Sequence, residues 1–532
     1  MPSRKKHTIV VCDHIHEAGL EMLKNDENIN FIMAADEDKT KLVQEIIPQA
    51  DVAITRSSTD VDANFIKNAK NMKAIVRAGV GVDNVDIEGC SKEGIIVMNV
   101  PTANTIAAVE LTMAHMLSCM RMFPYSHDHL KNQRIWKREK WYGHEMKGKK
   151  LGVIGFGNIG SRVAKRAKSF EVDIIAYDPY IHPSKVTDLD MTYTKDFADI
   201  LACDIITIHT PKNQETLNMI DEAEIAQMKD GVVLINCARG GLYNEEALYN
   251  NLKSKKIRFA GIDVFNKEPA TDHPLLDLEN IVVSPHLGAN TYESQYNIGT
   301  QAATNAIEAA KGISFAHAMN LPIDESKIPP FVKPFLEMGQ KIGFLASQIN
   351  QSQIVAIKVS GQGEIAEYVE SLSTFVAVGA MSESSSDTIN YVNAEFVAKE
   401  KGIKIEAGAL NDSTVFKNLI TVKLTTSEGT TTISATIFDD GVKRMVAIDG
   451  FDIEVALKGD MILFKNSDVP GVIGSIGSTL AKNNVNIADF SLARNKDAEA
   501  LAVILIDNAV NETTLKELAS LDACLSVNYA RL

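Results

Sequence analysis

The chain has 532 residues, with 54 Lys and Arg against 69 Asp and Glu, a net charge of −15 with His neutral. At roughly 100–200 residues per domain this length predicts about three or four domains, and 45% hydrophobic with 23% charged residues excludes a disordered or fibrous chain. The acidic balance argues against a general nucleic-acid or anionic-membrane binder, so an anion would need a local basic site.

The first third alternates strands and helices. Short apolar runs at Thr8–Cys12, Val52–Thr55, Lys73–Val76 and Ile95–Met98 read as buried parallel strands, with helical periodicity at Ala18–Leu23 and Lys39–Ile47 between them. Such alternation predicts a doubly wound α/β sheet. A long helix is expected from Asn104 to about Met122, ending before Pro124. The polar stretch Lys131–Lys150 that follows holds eight Lys or Arg against Glu139 and Glu145, a local +6.

A second βα series has strands expected at Leu151–Ile154, Asp173–Ala176, Asp204–Ile208, Val232–Ile235, Arg258–Ile262 and Ile281–Val283, then a helix at Tyr292–Ala310. Return of that helix to the first unit would make the first domain discontinuous. Leu321–Pro330, with three prolines, reads as a linker. Beyond it, strand-like pieces at Val355–Val359, Leu419–Leu424 and Thr431–Phe438, with a Ser-rich patch at Ser382–Asp387, suggest an α+β unit. The last segment, 460–532, reads strand, helix, strand, strand, helix, strand, the βαββαβ order of a ferredoxin-like fold.

The cysteines, Cys12, Cys90, Cys119, Cys203, Cys237 and Cys524, are widely spaced without a CxxC pair, which fits reduced thiols better than disulfides or a zinc site. The apolar run after Arg4, Lys5 and Lys6 stops at Asp13, too short for a signal-peptide core, and no apolar stretch approaches the ~18 residues of a membrane span. A cytoplasmic protein is expected. The pairs His14/His16 and His127/His129 have a metal-like spacing but too few further ligands, so no metal is expected.

The strongest motif is Gly155-Phe156-Gly157-Asn158-Ile159-Gly160, with an apolar strand before it and a helix after it. The first glycine permits the tight turn, Gly157 lets a pyrophosphate approach the backbone, and Gly160 permits close helix–strand packing. The helix N-terminus then presents free N–H groups to phosphate. Asp178, 18 residues after Gly160, can accept from both ribose hydroxyls and repels a 2′-phosphate, which favours NAD over NADP.

Three polar residues follow apolar strands of the same series: Arg239 in NCARGG, Glu268 in FNKEP and His286 in SPHLGANT. Each is also a common loop residue. Together, behind a dinucleotide motif, they suit dehydrogenation of a 2-hydroxy acid. A His takes the hydroxyl proton, a Glu holds the His tautomer, and an Arg binds the carboxylate and polarises the forming carbonyl. His209, in ITIHTP, reads as a core or strand-end histidine.

These segments, with VRAGVGVDNVD at Val76–Asp86 and NVPTANTIAAVEL at Asn99–Leu111, resemble the D-isomer-specific 2-hydroxyacid dehydrogenases over essentially the whole chain. The likeness is to the long members that oxidise 3-phosphoglycerate with NAD at the first step of serine synthesis. It implies a discontinuous substrate domain (1–101 and 290–320), an NAD domain (102–289), an intervening domain (331–458, carrying NYVNAEFVAKEKGI) and an ACT regulatory domain (459–532). It also implies a homotetramer.

Position by position, the resemblance makes His286 the acid/base, Glu268 its partner and Arg239 the carboxylate binder. Gly155, Gly157, Asn158, Ile159, Gly160, Asp178, Thr210, Pro211, Cys237, Ala238, Asp263 and Gly288 would meet the cofactor. Arg56, Ser57, Arg77, Gly79, Thr102 and Asn104 would face the substrate, with Arg56 and Arg77 on its phosphate and Arg138 reaching a neighbouring active site. In the ACT segment, Asn466, Asp468 and Asn486 match an interfacial effector site for L-serine. Arg444 matches an anion contact of the intervening domain, where Phe451 replaces an Arg that some relatives carry. Three other readings stay open: a hydroxypyruvate or glyoxylate reductase, an NAD-sensing binding protein without turnover, and a pure amino-acid sensor.

Overall fold

The computed structural model describes residues 6–323, 328–382, 389–410, 415–438 and 440–532. Arg4, Lys5, the middle of the expected linker (324–327) and most of the Ser-rich patch (383–387) lie outside the described residues.

The apolar runs of the N-terminal third form a five-stranded parallel sheet from β1 (His7–Val11), β2 (Ile29–Met33), β3 (Val52–Thr55), β4 (Ala74–Arg77) and β5 (Ile96–Met98), in the order β2-β1-β3-β4-β5. β3 is buried along its whole length, as a parallel strand covered on both faces must be, so its sequence is continuously apolar. β2 is not among the expected strands. It lies at the sheet edge and buries only Ile29 fully, so its pattern is weak. The helix expected over Lys39–Ile47 is broken into an α-turn (Lys39–Lys41), a π-turn (Leu42–Ile46) and a 3-10 turn (Ile47–Gln49), where Pro48 offers no N–H to an α-helical ladder.

A second, seven-stranded parallel sheet contains β6 (Lys150–Ile154), β7 (Asp173–Tyr177), β8 (Thr192–Thr194), β9 (Ile205–Ile208), β10 (Val232–Asn236), β11 (Ile257–Ile262) and β12 (Ile281–Val283), in the order β12-β11-β10-β9-β6-β7-β8. The strand order reverses between β6 and β9, the crevice where open α/β sheets bind ligands. Register aligns the strand ends: Ile154 pairs with Ile208, Ile208 with Asn236, Asn236 with Ile262 and Ile262 with Val283. The residues after these ends therefore emerge on one rim.

Two long helices join the sheets. The helix Thr105–Arg121 packs on β10, β11 and β12. It ends where Met122 turns left-handed, and a second helix, Phe123–Lys131, leaves at 69° with Pro124 in its first turn. The expectation that Pro124 simply terminates the helix misses this second element, which Pro tolerates at its start. Among the described residues no single helix is long and apolar enough to cross a membrane; only this bent pair passes together, and most of the first helix is buried in the fold. The helix Tyr292–Lys311 returns to β1, β3 and β4 and crosses the helix Glu17–Asn25 so closely that a Cβ on Gly19 would lie 2.3 Å from the Gly299 carbonyl oxygen. The first unit thus consists of two chain segments.

The remaining chain builds a mixed sheet from β13 (Ile354–Gln362), β14 (Lys404–Ala409), β15 (Leu419–Thr426), β16 (Thr430–Ile437), β17 (Lys443–Ile448) and β18 (Phe451–Ala456). It also builds an antiparallel sheet from β19 (Asp460–Ser467), β20 (Ile487–Arg494), β21 (Glu499–Ile506) and β22 (Cys524–Arg531), in the order β20-β21-β19-β22. With helices Val472–Lys482 and Glu512–Ala519 this is the expected βαββαβ arrangement. One face of the last sheet, including Leu463, Leu501 and Val503, shares a core with the mixed sheet. The mixed-sheet unit touches the first domain through Asn390, whose Nδ2 donates to the Gly94 carbonyl at 2.8 Å, and through Val392, which is buried in that domain's core.

Candidate active site

The glycine motif sits at the reversal point. Gly155 follows β6 with φ +82°, a left-handed backbone that glycine adopts without a Cβ penalty. A Cβ on Gly160 would lie 2.0 Å from the Gly155 carbonyl oxygen, so only glycine lets the helix Gly160–Lys168 start this close to the turn. A Cβ on Gly157 would meet nothing within 4 Å, so that glycine faces open space, as an approach for a pyrophosphate requires. Asp178, at the end of β7, is pinned by two backbone amides: Oδ2 accepts from Phe156 N–H at 2.9 Å and Oδ1 from Tyr180 N–H at 3.0 Å.

A cleft of about 400 Å³ runs along this rim, lined among others by Asn158, Ile159, Thr210, Pro211, Cys237, Ala238 and Gly288, with Asn104 and Val80–Asp83 on the facing wall. Two of its buried polar atoms, Thr210 Oγ1 and Asn104 Oδ1, have no hydrogen-bond partner among the described residues. Buried polar atoms are normally paired, so both point to a polar guest. The glycine turn, the pinned Asp178 and these unpaired atoms fit a dinucleotide. His209 also lines the cleft, with Nε2 3.0 Å from Thr207 Oγ1, and burial holds its pKa down at about 3, so it is a neutral strand-end histidine as expected.

His286 and Glu268 are brought together: Nδ1 of His286 lies 2.7 Å from Oε2 of Glu268. The other carboxylate oxygen, Oε1, accepts from Phe265 N–H at 3.0 Å. The hydrogen bond that His286 donates to Glu268 raises the His286 pKa above the ordinary histidine value, outweighing burial. Burial pushes the Glu268 carboxyl upward, but the His286 and Phe265 hydrogen bonds win and hold it below its ordinary value. His286 itself has φ +54°, a conformation rare outside glycine. It is maintained by Asp263, whose backbone carbonyl accepts from His286 N–H at 2.9 Å.

Asp263 departs from the expectation of cofactor contact. It is fully buried and does not line the cleft. Its Oδ1 accepts from Ser284 Oγ–H at 2.6 Å and Leu287 N–H at 2.7 Å, and its Oδ2 accepts from Gly288 N–H at 3.0 Å. It shapes the loop that carries His286.

Arg239 lines the cleft beside His286, with its Nε 3.1 Å from Oδ2 of Asp83 on the first domain. Gly81 gives it room, since a Cβ there would lie 2.1 Å from Arg239 Nη2. Arg77 ends β4, donates from Nε to Asn84 Oδ1 at 3.3 Å, and lies against Gly79. Burial, then the like charges of Arg56 and Arg239, push its pKa down to about 10. Arg56 follows β3; its Nη1 donates to the His14 carbonyl at 3.0 Å and its N–H to the Asp13 carboxylate, while Ser57 beside it is exposed. Arg56, Arg77 and Arg239 thus form one cationic cluster spanning both domains. Asp13, Asp83 and Asn84, which orient it, were not singled out from the sequence; polar residues just past strand ends were the available signal.

Other expected residues are placed elsewhere. Thr102 lines a separate cavity between the helices Thr105–Arg121 and Tyr292–Lys311, not the cleft. Arg138 is exposed on a 3-10 turn and does not line the cleft. Arg444 is engaged by Asp440 at 2.8 Å, by Glu454 and by the Phe438 ring, and Phe451 is buried, so the anion contact expected there is already neutralised. In the last domain, Asn466 and Asp468 line a cavity of about 510 Å³ together with Arg494, which pairs with Asp468 at 3.2 Å. The buried Asn466 Oδ1 has no partner among the described residues. Asn486 is not part of that cavity; its Nδ2 donates to Asp507 Oδ2 at 2.6 Å. All six cysteines are free thiols, and among the described residues no three His, Cys, Asp or Glu groups converge as a metal site.

Three family descriptions match this chain: the D-isomer specific 2-hydroxyacid dehydrogenase NAD binding domain over residues 113–288, the D-3-phosphoglycerate dehydrogenase intervening domain over 331–449, and the ACT domain over 461–523. D-3-phosphoglycerate dehydrogenase of Archaeoglobus fulgidus is 35% identical over 530 residues, covering 98% of this chain and 100% of the relative. The Bacillus subtilis enzyme of the same name is 34% identical, covering 98% of this chain and 99% of the relative. Among solved structures, D-lactate dehydrogenase from Aquifex aeolicus with NAD and lactic acid superposes with TM-score 0.53 at 26% identity, covering 58% of this chain and 96% of that one. NAD-dependent formate dehydrogenase from Staphylococcus aureus with NAD gives TM-score 0.53 at 27% identity, covering 58% of this chain and 97% of that one.

Proposed function

The chain belongs to the D-3-phosphoglycerate dehydrogenase family of D-isomer-specific 2-hydroxyacid dehydrogenases, and from that premise we propose how its residues carry out the reaction. The reaction is oxidation of 3-phosphoglycerate to 3-phosphohydroxypyruvate with NAD, the entry to serine synthesis. The observation that carries this reading is the His286–Glu268 pair at 2.7 Å on the same cleft as Arg239 and the glycine turn.

Bound NAD supplies the hydride acceptor. Gly155, Gly157, Asn158, Ile159 and Gly160 would receive its pyrophosphate and Asp178 its ribose, with Thr210, Pro211, Cys237, Ala238 and Gly288 along the remainder. With Nδ1 held by Glu268, His286 presents Nε2 as the base for the C2 hydroxyl proton, and the adjacent carboxylate stabilises the imidazolium that results. Arg239 holds the substrate carboxylate and polarises the forming carbonyl. Arg56 and Arg77 take the phosphate, which offsets the mutual repulsion of the cluster. Asn104 lies at the hinge side of the cleft. The domain boundaries are 1–101 with 290–320 for the substrate domain, 102–289 for the NAD domain, 331–458 for the intervening domain and 459–532 for the ACT domain.

The assembly is a homotetramer in the cytoplasm, with Arg138 presented to a neighbouring subunit. L-serine is the effector: Asp468 receives its amino group and Asn466 Oδ1 a polar hydrogen, with Asn486 of a second copy completing an interfacial site. That division explains why Asn486 stands apart within one chain. Purified protein that reduces NAD with glycolate or lactate but not with 3-phosphoglycerate would overturn the substrate assignment.

A further inference from the structure

His115 lies midway along the interdomain helix Thr105–Arg121, 3% exposed, facing neither the cleft nor solvent. A buried histidine is costly unless its polar atoms are used, and since His115 Nδ1 has no hydrogen-bond partner among the described residues, Nε2 carries the ring's polar contact. Its Nε2 lies 2.6 Å from Ser284 Oγ, and Ser284 Oγ lies 2.6 Å from Asp263 Oδ1.

The donor directions follow from chemistry. A carboxylate only accepts, so the Ser284 hydroxyl proton points to Asp263 and the Ser284 oxygen takes the Nε2–H of His115. Burial holds His115 below the ordinary histidine pKa, against the pull of Asp263. The chain then continues. Asp263 receives three successive backbone amides, those of His286 (on its carbonyl, 2.9 Å), Leu287 (2.7 Å) and Gly288 (3.0 Å). Those bonds hold the left-handed turn that aims the His286 ring at Glu268.

We propose that His115 is a positioning residue for the reaction: through Ser284 it fixes the Asp263 carboxylate, and through Asp263 the turn that presents His286 to the substrate. It touches neither substrate nor cofactor. Without its donor, the half-buried Ser284 oxygen is left without that partner, and the hydroxyl is free to rotate away from Asp263. The carboxylate then loses one of the bonds that orient it beneath the Leu287 and Gly288 amides.

The proposal rests on the dehydrogenase reading for its kinetic test but not for its structural one. The variants are His115→Leu, His115→Gln, Ser284→Ala and the double variant His115→Leu with Ser284→Ala. Glutamine places an N–H at the position of Nε2, whereas leucine keeps bulk and offers no donor. NADH formation from 3-phosphoglycerate gives kcat and KM, and hydrogen–deuterium exchange follows the amides of residues 286–288.

His115→Leu and Ser284→Ala are expected to lower kcat about tenfold with KM unchanged, within the ~hundredfold that misplacement of a catalytic group by 1 Å can cost. Exchange at residues 286–288 rises in both. His115→Gln restores kcat and protection, and the double variant is no worse than the weaker single one. Wild-type kcat and protection in a folded His115→Leu protein would overturn the proposal. So would equal losses in His115→Leu and His115→Gln, or additive losses in the double variant. If the wild type fails to oxidise 3-phosphoglycerate, the dehydrogenase reading falls, while the exchange pattern still decides the role of His115.

Discussion

The Glu268 carboxylate holds His286 Nδ1 at 2.7 Å with one oxygen and the Phe265 amide with the other, so the pair is oriented from both sides. The histidine is raised and the carboxylate lowered by their shared hydrogen bond, opposed in both cases by burial. Because the two groups titrate as a couple, pH dependence reports the pair.

In the oxidation direction His286 must be neutral to accept a proton, so kcat/KM should fall as pH drops through its raised pKa. Glu268→Gln keeps an acceptor on Nδ1 but removes the charge, so the acidic limb should move to lower pH. The pH–rate profiles of wild type and variant check this; coincident limbs would remove the Glu268 assignment. The stability linkage has a different sign for each partner. The histidine's contribution is full below the ordinary histidine pKa and lost as pH rises through the raised value. The carboxylate's contribution is present above the ordinary glutamate pKa and lost as pH falls through the lowered value.

His286→Ala removes the proton acceptor and nothing that holds the dinucleotide. Turnover should drop by about 10²–10⁴, the usual contribution of a general acid/base, with NAD affinity retained. Stopped NADH production beside a fluorescence titration of NAD binding separates the two effects.

Arg77 is half-buried beside two other guanidinium groups, and its pKa is pushed down to about 10. Arg77→Leu should raise KM for 3-phosphoglycerate by roughly tenfold to hundredfold, the cost of about 1.5–3 kcal/mol for a charge-assisted hydrogen bond, while leaving KM for NAD near wild type. Inorganic phosphate should raise the melting temperature of the wild type more than that of the variant. Equal phosphate stabilisation in both proteins would place the phosphate elsewhere.

Gly81→Ala puts a methyl group 2.1 Å from Arg239 Nη2 and 2.9 Å from Asp83 Oδ2, so Arg239 must leave its place. A loss of about tenfold or more in kcat/KM with normal NAD binding is expected. Unchanged kcat/KM would show that the Arg239 pose is not the working one.

Much of this site is legible in the amino-acid sequence alone. Parallel strands buried on both faces announce themselves as continuous apolar runs, and ligands gather where such strands end, so Arg239, Glu268 and His286 could be read from position and type. The glycine motif is legible because Gly155 and Gly160 answer close backbone approaches that a Cβ would violate, while Gly157 leaves open space for a pyrophosphate. What stayed hidden depends on the third dimension. β2 sits at an edge with a single buried residue, and β17 buries only Met445 and Ile448, so neither shows a clean alternation. The family resemblance implies a cofactor contact for Asp263, yet its carboxylate turns inward to three loop donors. Thr102 and Asn104 stand two positions apart, but only Asn104 faces the cleft. Asp83 and His115 could not be found by spacing, since their partners lie 156 and 169 residues away.

L-serine tests the regulatory half. The Asp468–Arg494 pair and the unpaired Asn466 Oδ1 share one cavity, and Asn486 stands outside it. Serine should slow wild-type turnover and lose that effect in Asp468→Ala, with basal kcat measured alongside. An effect undiminished in that variant would move the effector site elsewhere.

The most direct measurement follows NADH from 3-phosphoglycerate, with lactate and glycolate as alternative substrates and NADP as alternative cofactor. The account predicts turnover with 3-phosphoglycerate and NAD, little with the unphosphorylated acids, and little with NADP because Asp178 occupies the place of a 2′-phosphate. Turnover with lactate or glycolate and none with 3-phosphoglycerate would contradict it.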